Sequence, residues 1–303
     1  MILLWLVLLL IFLSLLVIGL YAFYIAYRLY HPYTKNRRRV NLQEMNANSL
    51  RLPAAPGIEL DALLLSAGDS RRVAVITHEL GAVKESKLKL ARRLVKAGFN
   101  VLLFDLRNHG ESSRDYSLGP MSEKFTDDVA VALRYVHENL PAIDNINLIA
   151  FSFSTFPALY IINRQLKQPD TIVVDSGPSA TISDLYGKFL DDLGRFLVPS
   201  VLRLPVLLPL FKFFFQFFGT RMLSTRWPPD WSGLRSRVLF VVNAEDAIFS
   251  QSQIMAVADQ VPNKEVWVCP ESAHLQAQRS DPIGYEQTLL NFLNSQTGAR
   301  HDA

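Results

Sequence analysis

Charge is what the first part of the chain lacks. Met1–Tyr27 contains no Asp, Glu, Lys, Arg or His, although the 303-residue sequence carries 31 basic and 28 acidic side chains. Cysteine is nearly absent: Cys269 is the only one, which excludes an internal disulfide and agrees with a reducing compartment. The net charge of +3 is not gathered into a basic stretch interleaved with aromatics, so nucleic acid is not an expected partner. No His/Cys/Asp cluster has metal-ligand spacing and no glycine loop is built to cradle phosphate, so no metal or cofactor is implied.

The uncharged run is itself a positive signal. About 20 apolar residues rising 1.5 Å each cross a hydrocarbon core of about 30 Å, so residues 1–28 are expected to form a transmembrane anchor. Trp5 at one end and Tyr21, Tyr24, Tyr27 and Tyr30 at the other suit headgroup depth. A cleaved signal peptide would start with a basic segment and end at a small-residue site, so a retained anchor is expected instead. Arg28, Lys35, Arg37, Arg38 and Arg39 follow the span and no cation precedes it, which predicts a cytoplasmic domain. His31-Pro32 should end the helix, and residues 29–54 read as a polar linker.

From residue 58 onward, short β-branched runs alternate with helical patterns, the signature of crossovers and a mostly parallel sheet. Strands are expected at 58–65, 72–77, 101–105, 146–151, 171–175, 237–243 and 265–269. Helices are expected at 84–97, 155–166 and 283–294, and most clearly at 125–140, where Phe125, Val129, Ala132, Leu133, Val136 and Leu140 share a face. Residues 178–235 break this rhythm and read as a cap. Residues 204–218 hold six of the 19 phenylalanines and one charge, Lys212. Core packing is the expected role of this aromatic run, with contact to a bilayer or an acyl chain as the alternative.

Three side chains end up beyond the carboxyl ends of expected strands: Ser152 after 146–151, Asp246 after 237–243, and His274 after 265–269. A hydroxyl needs a base, the base needs a carboxylate to orient it, and the oxyanion needs N–H donors. Ser152 on a strand-to-helix turn, His274 as base and Asp246 as acid supply the first three, and the N-terminal field of the following helix favours developing negative charge. Asp175, also at a strand end, is the rival for the acid.

Ala150-Phe151-Ser152-Phe153-Ser154 resembles the G-x-S-x-G elbow of serine α/β-hydrolases. Residues 104–112 resemble that family's D-x-R-G-H-G-x-S segment, Asn243-Ala244-Glu245-Asp246 its acid loop, and Ser272-Ala273-His274-Leu275 its histidine loop. The resemblance covers residues 55–297 and leaves 298–303 as a tail. It implies an α/β-hydrolase fold, with helices on both faces of a mostly parallel sheet, a helical cap insertion and one N-terminal transmembrane helix. It also implies Ser152, Asp246 and His274 as catalytic residues, the N–H groups of Phe153 and Leu80 as the oxyanion hole, and structural roles for His78 and His109.

The chain departs from the pattern at three places. Ala150 and Ser154 replace the elbow glycines, Glu79 follows His78 where the family has glycine, and Asn108 replaces a glycine at a turn where asparagine tolerates positive φ. The expected function is a membrane-anchored serine esterase or thioesterase acting through an acyl-serine, with a small or lipid-like acyl substrate. The alternatives are a hydrolase fold that binds without catalysis and an acyltransferase using the same three residues.

Overall fold

The computed structural model describes residues 1–34 and 46–295. Residues 35–45 of the expected linker, with Lys35, Arg37, Arg38 and Arg39, and the tail at 298–303 lie outside the described residues. The strands are β1 (Ala47–Ala55), β2 (Ile58–Leu65), β3 (Arg72–Ile76), β4 (Asn100–Phe104), β5 (Asn145–Phe151), β6 (Thr171–Asp175), β7 (Arg237–Asn243) and β8 (Lys264–Cys269). The helices are α1 (Ile2–Tyr30), α2 (Leu88–Lys96), α3 (Met121–Asn139), α4 (Thr155–Tyr160), α5 (Ile182–Leu197), α6 (Leu207–Leu223), α7 (Gln251–Ala258), α8 (Ala277–Ser280) and α9 (Pro282–Asn294).

The strands form one sheet of order β1-β2-β4-β3-β5-β6-β7-β8, antiparallel where β1 meets β2 and β2 meets β4, and parallel from β4 to β8. Successive side chains of a strand point to opposite faces, which divides the core in two. Leu102, Phe104, Leu148, Val174 and Phe240 join the face covered by α1, α3 and the cap. Leu103, Ile149, Val173, Leu239 and Val241 join the face covered by α2 and α9. Burial on both faces explains why these strands read as continuous apolar runs.

Two expectations about this framework are corrected. The stretch taken as linker contains β1, an edge strand paired along β2 from Ala47 opposite Leu65 to Ala55 opposite Ile58. Only Leu52 of β1 is buried, so its pattern carries little strand signal. The expected helix at 84–97 opens with a 3-10 turn, Lys84–Lys87, before α2. Its buried Lys84 ammonium bonds Asp105 (2.9 Å), Glu85 (3.0 Å) and Asp61, tying the turn to the middle of β2 and the end of β4.

The larger difference concerns α1. Residues 2–17 are exposed, but Ile18, Gly19, Ala22, Ile25, Ala26 and Tyr30 are buried against the domain. That spacing is one face of a 3.6-residue helix, and it packs on α6. The Phe23 and Phe218 rings meet edge to face at 5.3 Å, and Tyr21 lies 5.9 Å from Phe211. The Tyr30 hydroxyl is hydrogen-bonded to that of Tyr186 and lies 3.3 Å from the Gly219 carbonyl oxygen. A Cβ on Gly219 would stand 2.8 Å from the Tyr186 ring, so this approach needs glycine. The helix ends at Tyr30, before His31-Pro32. Asn108 donates from Nδ2 to the Tyr30 carbonyl (3.1 Å) and accepts the Asp115 N–H (2.7 Å). Asn108 stands at φ +67°, so the residue in place of glycine accepts the turn and also fastens the end of α1.

Within the cap, α6 is one continuous helix. Phe211 and Phe215 enter the core, Phe214 and Phe218 pack beside α1, and Phe213 and Phe217 face outward. The α1 packing predicts a sharp boundary for truncation. Deleting residues 2–17 should move the thermal midpoint in detergent by only a few degrees. Deleting 2–30 removes Ile18, Ile25 and Tyr30, and at about 1.5–3 kcal/mol for each buried large side chain this takes most of the stability of an ordinary domain. Scanning fluorimetry of both truncations checks this.

Candidate active site

The strand β5 ends at Phe151, and Ser152 follows with φ +53°, a left-handed conformation that a serine adopts only when its surroundings impose it. Those surroundings are well defined. Ser154 Oγ accepts the Phe151 N–H (2.9 Å) and lies 2.7 Å from Thr77 Oγ1 at the end of β3. Thr155 Oγ1 donates to the Ser152 carbonyl (2.6 Å). A Cβ on Gly177 would lie 2.6 Å from Thr155 Oγ1 and 3.0 Å from the Ser152 oxygen. Close packing at the elbow is therefore supplied by Gly177 after β6, while Ser154 adds a hydrogen bond that glycine could not make.

The loops after β7 and β8 bring two further side chains to Ser152. Ser152 Oγ lies 2.9 Å from His274 Nε2, and His274 Nδ1 lies 2.7 Å from Asp246 Oδ2. Asp246 as a carboxylate makes Nδ1 the protonated nitrogen, which leaves Nε2 free to accept from the serine hydroxyl. The second oxygen of Asp246 accepts the N–H groups of Ile248 (2.9 Å) and Phe249 (2.8 Å), so the carboxylate cannot rotate. The Phe249 ring stacks on the imidazole at 5.5 Å.

The sequence profile of the alpha/beta hydrolase family matches residues 85–283, which include all three side chains. The chain belongs to the alpha/beta hydrolase family. No curated relative matches the sequence. Among solved structures, an esterase of Pyrococcus furiosus superposes with a TM-score of 0.67 at 18% identity, covering 86% of this chain and 98% of its own. A hydrolase from Pseudomonas aeruginosa gives 0.59 at 17% identity, with 82% and 98% covered. An esterase from Exiguobacterium antarcticum gives 0.62 at 14% identity, with 81% and 99% covered.

In this hydrolase Asp175 does not reach the imidazole. It accepts hydrogen bonds from Ser176 Oγ (2.8 Å) and Tyr285 Oη (3.0 Å), and burial pushes its carboxyl above the ordinary range against those bonds. Ser176 in turn accepts the Leu275 N–H (3.0 Å) and an Asn243 amide hydrogen (2.7 Å), and Ser272 donates to Asn243 Oδ1 (2.5 Å). These buried groups hold the histidine loop from beneath. Asn243 and Ser272 lie in the segments that resemble the family's acid and histidine loops, without a role of their own there, and neither Ser176 nor Tyr285 on the distant α9 carries a sequence signal for this role.

The turn after β3 carries Leu80, whose N–H has no hydrogen-bond partner among the described residues and which lines the same cavity as Ser152, Phe153 and His274. The Phe153 N–H lies in the first turn of a helix, where it has no intrahelical acceptor. Glu79 sits beside them, but its carboxylate pairs with Lys87 Nζ at 2.5 Å, and that ammonium also stands 3.8 Å over the Phe151 ring. Burial pushes the Glu79 carboxyl up, and Lys87 more than offsets this, so it ionises below its ordinary value.

His78 and His109 are buried inside this region and do not touch Ser152. His78 donates from Nδ1 to the Glu79 carbonyl (2.8 Å) and accepts the Leu106 N–H (3.1 Å). His109 donates to the Arg107 carbonyl (2.9 Å) and accepts the Gly81 N–H (3.0 Å), which sets the position of the Leu80 turn. Among the described residues, no group of three or more His, Cys, Asp or Glu side chains is placed to hold a metal.

Burial, with His78 close by, pushes the His109 imidazole from its ordinary 6.5 down to about 3. Between those values the unfolded chain binds a proton that the fold refuses, so stability falls as pH drops from 6.5 toward 3. His109→Gln keeps an acceptor for Gly81 and removes the titration. Chemical denaturation from neutral to acid pH should therefore give a shallower loss for His109→Gln than for the wild type.

Proposed function

We propose that the protein is a membrane-anchored serine hydrolase that cleaves carboxylic esters or thioesters with an apolar, lipid-like acyl group. The observation that carries this reading is the continuous chain Ser152–His274–Asp246, with contacts of 2.9 and 2.7 Å, on a serine held at positive φ. Such an arrangement is expensive to fold and serves a nucleophile.

In this mechanism Ser152 Oγ attacks the acyl carbon while His274 Nε2 takes the hydroxyl proton. The Asp246 carboxylate stabilises the imidazolium, and the carbonyl oxygen, now negative, faces the N–H groups of Phe153 and Leu80. Collapse expels the alkoxide or thiolate, which receives the proton from His274, and leaves an acyl-serine. Water, deprotonated by the same imidazole, releases the acid and restores the serine. The neutralised Glu79 supports this reading, since an unpaired carboxylate at that position would oppose the oxyanion.

The residues of α1 that are free of the domain, 2–17, supply the bilayer contact in this proposal. The cations at 28–39 favour a cytoplasmic domain. In sealed vesicles of cytoplasmic-side-in orientation, added protease should spare the domain until the membrane is opened.

A fluorophosphonate probe should label the wild type and not Ser152→Ala. With a p-nitrophenyl ester, Ser152→Ala and Asp246→Asn should each lower kcat by about 10⁴-fold, at unchanged thermal midpoint. Well-folded wild-type protein that neither labels nor turns over would favour a binding role instead.

A further inference from the structure

The cavity at Ser152 has a volume of about 620 Å³, within the range of a site for a drug-sized ligand. Ser152, His274 and the turn of Glu79, Leu80 and Gly81 line it together, and Arg28, Tyr30 and Tyr186 add further polar side chains. Two helices supply much of the remaining lining, Ile25, Leu29 and Tyr30 from α1 and Leu185, Phe189 and Leu197 from α5, with Ile248, Phe249 and Leu275 from the loops beside His274. Most of the other lining side chains are apolar, which suits a chain with a single reacting group at its tip. No residue of the aromatic helix α6 lines it.

The wall on the α1 side is the same helix whose first part, 2–17, lies free and carries no charge. From Val17 to Ile25 is eight residues, about 12 Å along the axis at 1.5 Å per residue. If the free part lies in a bilayer, the cavity stands about two turns beyond it, with one continuous apolar helix surface connecting them.

We propose that the space between α1 and α5 is an acyl-chain site, so that the membrane helix is also a wall of the substrate pocket and Leu29 and Phe189 set the chain preference. The substrate class is an ester or thioester of a long-chain fatty acid, drawn from the adjacent leaflet along α1 with its carbonyl foremost. This rests on Ser152 being the nucleophile, and the test separates the two. Leu29 and Phe189 are half-buried, one on each wall, so a larger ring at either position enters the cavity without replacing a core side chain.

The experiment uses the full chain in lipid nanodiscs. Leu29→Trp and Phe189→Trp should each lower the ratio of kcat/KM for p-nitrophenyl dodecanoate over butyrate by about tenfold or more, as expected when a hydrophobic subsite is filled. Phe213→Ser, on the outward side of α6, should leave that ratio within about twofold. An unchanged ratio in both tryptophan variants, or an equal shift in Phe213→Ser, overturns the proposal. A photoactivatable diazirine fatty acid gives a readout that needs no catalysis. It should crosslink to α5 in the wild type and in Ser152→Ala, and Leu29→Trp should reduce that adduct about tenfold. Crosslinks confined to residues 2–17 overturn the acyl site whether or not the serine is active, and failure of fluorophosphonate labelling alone overturns only the catalytic reading.

Discussion

A serine at φ +53° with its hydroxyl 2.9 Å from an imidazole is the arrangement on which the rest of the structure converges. A left-handed serine costs on the order of 1–3 kcal/mol, so the neighbouring groups have to outweigh it. Ser154 and Thr155 do so by bonding the backbone of the turn, Thr77 holds the Ser154 hydroxyl, and Gly177 leaves the space. The imidazole is held just as firmly. Asp246 is pinned by two N–H groups, and the loop bearing His274 rests on the buried chain from Tyr285 through Asp175 and Ser176 to Leu275. Hydrogen bonds in such a dry setting are costly to leave unmade, which is how a polar network defines one position for a loop.

The second constraint is the double use of α1. A helix that only crossed a bilayer would leave its end free of the domain, whereas here Ile18, Ala22, Ile25 and Tyr30 belong to the core of the hydrolase. The Tyr30 hydroxyl reaches the cap through Tyr186, and its carbonyl is held by Asn108 on the loop after β4. The first helix, the cap and the side of the sheet that carries Ser152 are thus one packed unit. Removing the whole helix would open the cavity at Ser152 as well as expose the core.

Much of this was legible in the residues. Apolar runs alternating with helical patterns imply a parallel sheet, and in such a sheet loops at the carboxyl ends of the strands meet at one edge. That reasoning selects Ser152, Asp246 and His274, and the structure brings them together. It does not separate Asp246 from Asp175 with the same force, because both end a strand; the difference is that Asp175 turns inward to Tyr285. The pairing of Glu79 with Lys87 was not legible either, since a carboxylate eight positions from an ammonium on a turn has no fixed spacing to it.

The amino-acid sequence alone determined the order of the strands β2 to β8 and of the helices α2, α3, α4 and α9, the apolar character of the first helix and the elbow serine, because these follow from local periodicity and from which residues tolerate which backbone. Only the tertiary structure decided which face of α1 is buried, since a run that is apolar all round carries no periodic mark of its partner. It also decided that the aromatic run of α6 supports α1 while α5 borders the cavity, and that β1 completes the sheet edge. Each of these depends on contacts between segments far apart along the chain, where the choice rests on shape and on the pairing of buried polar groups.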